Sequence, residues 1–281
     1  AVAAGSLERI VKAVDSPWKI PYDGRLRAPP QVFAPPADRA DAKQRLEDTR
    51  QSIRPFQRML YAGKQYSVLL VFQALDAAGK DGVIREVFED LDPVNVQVSA
   101  FKRPTEPELR HDFLWRTSKC LPERGEIAVF NRSYYEEVLT VRVHPEFLAA
   151  QYAGGTPDPQ QLWPARYQAI REHERHLAAA NTLILKFWLN VSPAKQAERF
   201  LERLDDPQKR WKFSLGDVRE STFRPAYDEA LLHLLNETSR PWAPWFCIPA
   251  DDSWYLRWQV ADIIRQALAA FFFNDTATTE I

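Results

Sequence analysis

The segment Tyr66 to Gly82, YSVLLVFQALDAAGKDG, constrains the fold more than any other part of the chain. Its apolar, β-type run from about Ser67 to Gln73 reads as a buried parallel strand that empties into a turn of small residues ending in Gly79 and Lys80. In such a turn Ala77, Ala78 and Gly79 let backbone N–H groups approach an anion closely. A helix starting near Gly79 aims its unpaired N–H groups, including those of Asp81 and Gly82, and the positive end of its dipole at the same place. Lys80 adds a full charge. This is how a phosphate-binding loop reads.

The generic pattern GxxxxGK[ST] is broken twice, with Ala74 in place of the first Gly and Asp81 in place of the hydroxyl residue that holds Mg²⁺. A plainer reading therefore stands beside the first: a helix N-terminus after a strand that binds nothing. Asp76 speaks against it. A carboxylate inside an anion-binding turn repels phosphate, so its presence points to a bound Mg²⁺, held directly or through water, or to a base that orients an attacking phosphate oxygen.

The 281 residues, 45% hydrophobic and 27% charged, suffice for one substantial core, so a single α/β domain with an insertion is the natural count. The formal net charge of −1 argues against a nucleic-acid binder, which normally carries a basic excess. Cys120 and Cys247 sit in neither a CxxC nor a His cluster, so neither a disulfide framework nor a zinc site is expected, and a reducing compartment is. No apolar run approaches the length of a membrane span and no signal-type region opens the chain, which leads to the expectation of a cytoplasmic protein without a membrane partner.

Alternating elements follow along the chain. Residues 1–37, rich in proline at Pro29, Pro30, Pro35 and Pro36, read as an extended arm. A helix is expected over Asp38 to Leu60, then the loop strand and its helix to about Leu91. Strands are expected at Val94 to Phe101, Glu126 to Phe130, Thr182 to Asn190 and Trp245 to Ile248, with helices at Glu106 to Lys119 and Pro159 to Asn181. Strands alternating with helices predict a parallel sheet flanked on both faces. Residue 1 is Ala, which fits a processed or an incomplete N-terminus. The last residues, NDTATTEI (Asn274 to Ile281), are what a common DNA-sequencing adapter gives when translated, and are expected to be an artefact.

Two further segments carry charge in a useful place. FNRSYYEEV, Phe130 to Val138, follows the third strand, and ligands of parallel sheets bind at the carboxyl ends of strands. Asn131 and Arg132 should thus emerge beside Asp76 and Lys80, where Arg132 can take a phosphate bidentately. Ser133 capping a helix, with Glu136 or Glu137 in its first turn, is an alternative that is compatible with this. In KQAERFLERLDDPQKRWK, Lys195 to Lys212, the cations Lys195, Arg199 and Arg203 recur every four residues, and Lys209, Arg210 and Lys212 continue the set. Interleaved acids also allow a solvated helix laced with ion pairs. Beside a phosphate loop, the same pattern reads as a lid that closes cations over phosphates.

Together these segments, with FKRPTEPELRHDFLWR (Phe101 to Arg116), FNRSYYEEVLTVRVHP (Phe130 to Pro145), ILKFWLNVSPAKQAERFLERLDDPQKRWKFS (Ile184 to Ser214) and APWFCIPADDSWY (Ala243 to Tyr255), resemble the polyphosphate kinase 2 family over roughly Tyr22 to Phe271. The resemblance implies a three-layer α/β/α P-loop kinase fold like thymidylate kinase, with a parallel sheet and a helical lid. It places one kinase domain over residues 38–271 with the lid at about 203–224. It implies transfer of phosphate from inorganic polyphosphate to nucleotides, with Mg²⁺ as cofactor and a homo-oligomeric assembly. The DxxGK core is reproduced by Asp76, Gly79 and Lys80, and Lys102 and Arg103 of the FKRP motif join the phosphate-binding set. Asn131 and Glu137 in FNRSYYE, rather than an Asp-containing FDRSWY, resemble the subgroup that phosphorylates both AMP and ADP, with guanine nucleotides a second class of acceptor.

One departure stands out. Where the family shows DLxERxxWDxY after WKFS, residues 217–227 keep Asp217, Glu220 and Tyr227 but have Ser221, Arg224 and Pro225 in place of the Arg, Trp and Asp. This keeps two alternatives in view: a catalytically weak polyphosphate-binding protein and an ATP-dependent nucleoside-monophosphate kinase. The expected catalytic set is Asp76, Lys80, Asn131, Arg132 and Glu137, and the expected lid cations are Arg199, Arg203, Lys209, Arg210 and Lys212.

Overall fold

The computed structural model describes residues 4–35, 41–152, 154–208 and 210–273. Five strands form it: β1 (Ser67–Gln73), β2 (Val96–Ala100), β3 (Ile127–Asn131), β4 (Thr182–Asn190) and β5 (Trp245–Pro249). All pair in parallel in the order β2-β3-β1-β4-β5. Every residue of β1, β4 and β5 is buried, as their largely apolar runs require of strands covered on both faces, with Lys186 of β4 the one charged exception.

The helices are α1 (Ala4–Ala13), α2 (Ala42–Gly63), α3 (Lys80–Phe88), α4 (Glu106–Leu109), α5 (Trp115–Ser118), α6 (Thr140–Val143), α7 (Pro159–Ala179), α8 (Pro193–Asp205), α9 (Leu215–Ser221), α10 (Arg224–Thr238) and α11 (Ser253–Phe273). The period of two in β1 divides them between two layers. Val68, Leu70 and Phe72 face a core shared with α1, α2, α3 and α11, whereas Leu69 and Val71 face one shared with α7 and α10. No helix among the described residues is long and apolar enough to cross a membrane.

The expectation of an arm extended over residues 1–37 needs correction. Ala4–Ala13 is helical, and Leu7, Ile10, Val11 and Val14 bury one face of it at helical spacing. The described part of the proline-rich stretch, to residue 35, has no helix or strand. Between the two, Ile20 N–H donates to the Trp245 carbonyl and Cys247 N–H to the Trp18 carbonyl, both at 2.8 Å, so the arm lies antiparallel along β5. It then runs to the carboxyl edge of the sheet, where Asn190 Nδ2 donates to the carbonyls of Pro30 (2.7 Å) and Val32 (2.9 Å).

The single helix expected from Glu106 to Lys119 is two short ones. Asp112 interrupts it, accepting from Leu114 N–H at 2.9 Å with its side chain and from Trp115 N–H with its carbonyl, which starts a new turn. Residues 36–40 and 274–281, where part of the domain start and the adapter-like tail fall, lie outside the described residues.

Candidate active site

β1 is the central strand, so the loop after it opens at the middle of the sheet's carboxyl edge, between the ends of β3 and β4. The loop turns tightly enough to need left-handed backbone at Ala77 (φ 61°) and Gly79 (φ 101°). At Gly79 a Cβ would find ordinary van der Waals room beside the Arg199 guanidinium at 3.8 Å, so glycine serves the turn, whose positive φ a side chain rarely adopts.

Lys80 opens α3. Its Nζ folds back to donate to the carbonyls of Ala74 (2.9 Å) and Leu75 (3.4 Å), poised at the loop mouth. Burial, and then the neighbouring Arg132 charge, pull its pKa down to about 8. Arg132 stands at the end of β3 with φ 64°, its N–H donating to the Phe72 carbonyl at 3.0 Å. Its guanidinium donates to Asp76 Oδ1 at 2.5 Å and Glu136 Oε2 at 3.3 Å, and the carboxylate of Glu136 first, then that of Asp76, holds it firmly charged. Asn131 Nδ2 donates to Asp81 Oδ1 at 2.8 Å, tying β3 to the first turn of α3.

These groups line an open cleft of about 710 Å³. Ala77, Ala78, Gly79, Asp81 and Gly82 form its floor, and Lys102 and Arg103, after β2, form one wall. From α8 come Arg199, donating to the Ala77 carbonyl at 3.0 Å and the Ala250 carbonyl at 2.8 Å, and Arg203, bonded to Asp217 of α9 at 3.1 Å. Seven lining side chains are basic and three acidic, in a protein whose net charge is −1. Such a concentration of positive charge in a cleft selects a polyanion.

An apolar pocket of about 240 Å³ adjoins the cleft. Phe101, Phe113, Val141 and Phe147 line it, and Lys102, Arg103 and Arg132 border both spaces. Glu137 belongs here and not over the phosphate loop. It accepts from Arg166 Nη1 at 3.1 Å and Gln151 Nε2 at 2.8 Å, and burial raises its pKa against the pull of Arg166. Its neighbour Glu136, which the expected catalytic set leaves out in favour of Glu137, is the one that reaches Arg132.

Of the expected lid cations, the structure brings Arg199 and Arg203 to the cleft. Arg210 points elsewhere, donating through Nε to the Leu204 carbonyl at 2.8 Å, because α8 ends at Asp205 and the chain turns. Lys209 lies outside the described residues, as does the side chain of Lys212. Two further groups carried no sequence signal: Arg257 of α11, which lines the cleft, and Gln196 of α8, whose Nε2 donates to the Asp76 carbonyl at 2.9 Å. Asp217 lies near enough to Asp76 that burial first and that carboxylate second raise its pKa.

The family profile described as polyphosphate kinase 2 matches residues 36–272. The chain belongs to the polyphosphate kinase 2 family. Among curated relatives, an ADP-polyphosphate phosphotransferase of Rhodopseudomonas palustris is 47% identical over 224 residues, 79% of this chain and 78% of the relative. An AMP/ADP-polyphosphate phosphotransferase of Meiothermus ruber is 42% identical over 255 residues, 89% and 91% of the two chains. The crystal structure of polyphosphate kinase 2 from Arthrobacter aurescens superposes with a TM-score of 0.77 at 34% identity, covering 88% of this chain and 93% of that one. The family resemblance carried by the sequence motifs is thereby borne out, together with the P-loop kinase fold.

Where this chain departs from the polyphosphate kinase 2 pattern after the lid, the backbone stays helical. α10 begins at Arg224 with Pro225 in its first turn, where no amide partner is lost. Arg224, in the place of the family's Trp, bonds Asp228 at 2.8 Å and the Val191 carbonyl at 3.2 Å, so it links the start of α10 to the end of β4. Glu220 accepts from Tyr227 and lies 2.7 Å from His144 Nε2, which fastens α9 to the wall of the apolar pocket.

Proposed function

We propose that the protein transfers phosphoryl groups between inorganic polyphosphate and adenine nucleotides, forming ADP from AMP and ATP from ADP, in either direction. The observation that carries this is the cation-lined cleft joined to an apolar pocket through Lys102, Arg103 and Arg132. A purine among Phe101, Phe113 and Phe147 leaves its phosphates in the cleft, where polyphosphate lies along the remaining cations. The relatives' names support both acceptors, and Asn131 and Glu137 of the FNRSYYE motif favour the AMP-plus-ADP subgroup.

In this reading a terminal oxygen of the nucleotide attacks the end phosphorus of the polymer in line. The P–O bond to the bridging oxygen breaks, and its electron pair leaves with the shortened chain. Such transfer needs little covalent chemistry from the protein, so placement and charge carry the acceleration. Lys80, Arg132 and the amides of Ala77 to Gly82 hold the transferred group, and Arg199 and Arg203 neutralise the polymer. Mg²⁺ is usually held by one or two carboxylates together with substrate phosphates. Asp76 fits that role, since its carboxylate lines the cleft beside Lys80 and Arg132, where the substrate phosphates would lie. Mg²⁺ there offsets repulsion between donor and acceptor anions.

The test is ATP and ADP formation by purified protein with Mg²⁺ and long-chain polyphosphate, given AMP or ADP separately, and with ATP as the rival donor to AMP. Products from both acceptors with polyphosphate support the proposal. ATP replacing polyphosphate as donor to AMP supports a nucleoside-monophosphate kinase instead, and polymer binding without turnover a binding protein.

The pKa of Lys80 sets a pH dependence. Its charge is present below about 8 and lost above, so kcat/KM for polyphosphate should fall as pH rises through about 8. Bound phosphate favours the charged amine, which moves the falling limb of kcat to higher pH. Profiles of both parameters check this, and a kcat/KM that stays flat to about pH 10, near the ordinary lysine value, contradicts it.

A further inference from the structure

Lys186 sits in the middle of β4 with no exposed surface, on the same face as apolar Ile184 and Trp188. A buried ammonium requires full compensation. Its Nζ donates to Glu174 Oε2 of α7 at 2.7 Å, to the Tyr135 hydroxyl at 2.8 Å and to the Thr238 carbonyl at 2.8 Å, so three protons meet three acceptors. The Tyr135 hydroxyl in turn donates to Glu174 Oε1 at 2.7 Å, and that of Tyr134 to the same oxygen at 3.0 Å. None of these side chains lines the phosphate cleft. A network so fully used accepts the Tyr135 ring in one place, where it also meets Trp245 edge-on at 4.7 Å.

The link to the cleft is short. Tyr134–Glu137 is a 3-10 turn that begins two residues after Arg132, whose left-handed φ of 64° is costly for a side-chain-bearing residue unless its surroundings impose it. Glu136, from the same turn, contacts the Arg132 guanidinium. We propose that the Tyr135 hydroxyl, fixed between Lys186 and Glu174, is a positioning group that holds Arg132 and Glu136 in register with the phosphate loop during transfer. This rests on the assignment of Arg132 to the transferred phosphate.

Tyr135→Phe removes one oxygen and should lower kcat for ADP with polyphosphate about 10- to 10²-fold, the usual effect of a displaced catalytic group, with KM for ADP little changed. In an Arg132→Ala background the same substitution should lower kcat no further, while the fall in Tm is equal in both backgrounds. A hydroxyl that serves stability alone moves Tm without that dependence on Arg132. Unchanged kcat in Tyr135→Phe, or the same fold loss in both backgrounds, overturns the proposal. Full turnover in Arg132→Ala alone overturns the functional reading of Arg132 first, which separates the two failures. Should Tyr135→Phe not fold, the paired replacement Lys186→Met with Glu174→Leu removes both partners of the hydroxyl without leaving a lone buried charge, and is expected to give the same Arg132-dependent loss.

Discussion

Replacing Lys80 by alanine lowers kcat by about 10²- to 10³-fold, the usual effect of deleting one preorganised donor to a developing negative charge, and leaves the fold intact. Lys80 is the one full positive charge that the loop itself contributes, and it emerges from the first residue of α3, where the helix amides also point. Its present acceptors are the carbonyls of Ala74 and Leu75, which line a small cavity that shares Asp76 and Arg132 with the cleft. The activity loss should therefore far exceed any change in Tm. Single-turnover ATP formation and thermal unfolding of the same preparation measure the two. Asp76→Asn is expected to match the loss, since it removes the carboxylate that partners Arg132 at 2.5 Å. Near wild-type turnover in either variant would sink the site assignment.

Glu174→Leu should cost about 3–5 kcal/mol of stability, because it leaves the Lys186 ammonium buried without its counter-charge. The paired Lys186→Met, Glu174→Leu protein should recover the part of that loss that comes from the lone charge, while the Tyr134 and Tyr135 hydroxyls and the Thr238 carbonyl, which lose their partners, keep it below wild type. Burial already draws the pKa of Lys186 down to about 8, against the upward pull of Glu174, and removing that pull lowers it further. The folded variant then binds fewer protons than its unfolded chain, whose lysine titrates near 10.5. Its stability consequently rises with pH from its lowered folded pKa up to that value, whereas wild type gains from Lys186 only above about 8, so the loss is largest in acid, narrows up to about pH 8 and is constant beyond. Urea unfolding of the three proteins at several pH values gives the numbers. Equal stability of Glu174→Leu and wild type would contradict a charged Lys186.

The framework was legible where burial is complete. The runs Ser67 to Gln73 and Thr182 to Asn190 give β1 and β4 to the residue, since a strand covered on both faces is apolar along most of its length, in β4 even around the buried Lys186. Asp76, Lys80, Asn131 and Arg132 were placed together because the carboxyl ends of neighbouring parallel strands must meet. What escaped depends on the direction of single side chains. Glu136 and Glu137 are adjacent and chemically alike, and only the pitch of a 3-10 turn sends one to Arg132 and the other to Arg166. Arg210 continues a basic periodicity that the end of α8 cuts off. Arg257 arrives from the far end of the chain, and no local pattern announces that. α1 was legible in its spacing of Leu7, Ile10, Val11 and Val14, but the prolines that follow drew the reading toward an extended arm.

The antiparallel seat of the arm on β5 also bears on self-association. An open parallel sheet ends in two rows of unpaired N–H and C=O groups, each a template for another strand. Here Trp18 and Ile20 occupy the row on β5, so lateral growth of the sheet has one free border, at β2. That border is short, five residues of which Gln97, Val98 and Ala100 are exposed, and it leads into Lys102 and Arg103. Any strand added there would have to approach the same cations that guard the cleft, so the charge that attracts a polyanion also makes that border more hospitable to an acidic segment than to a basic one.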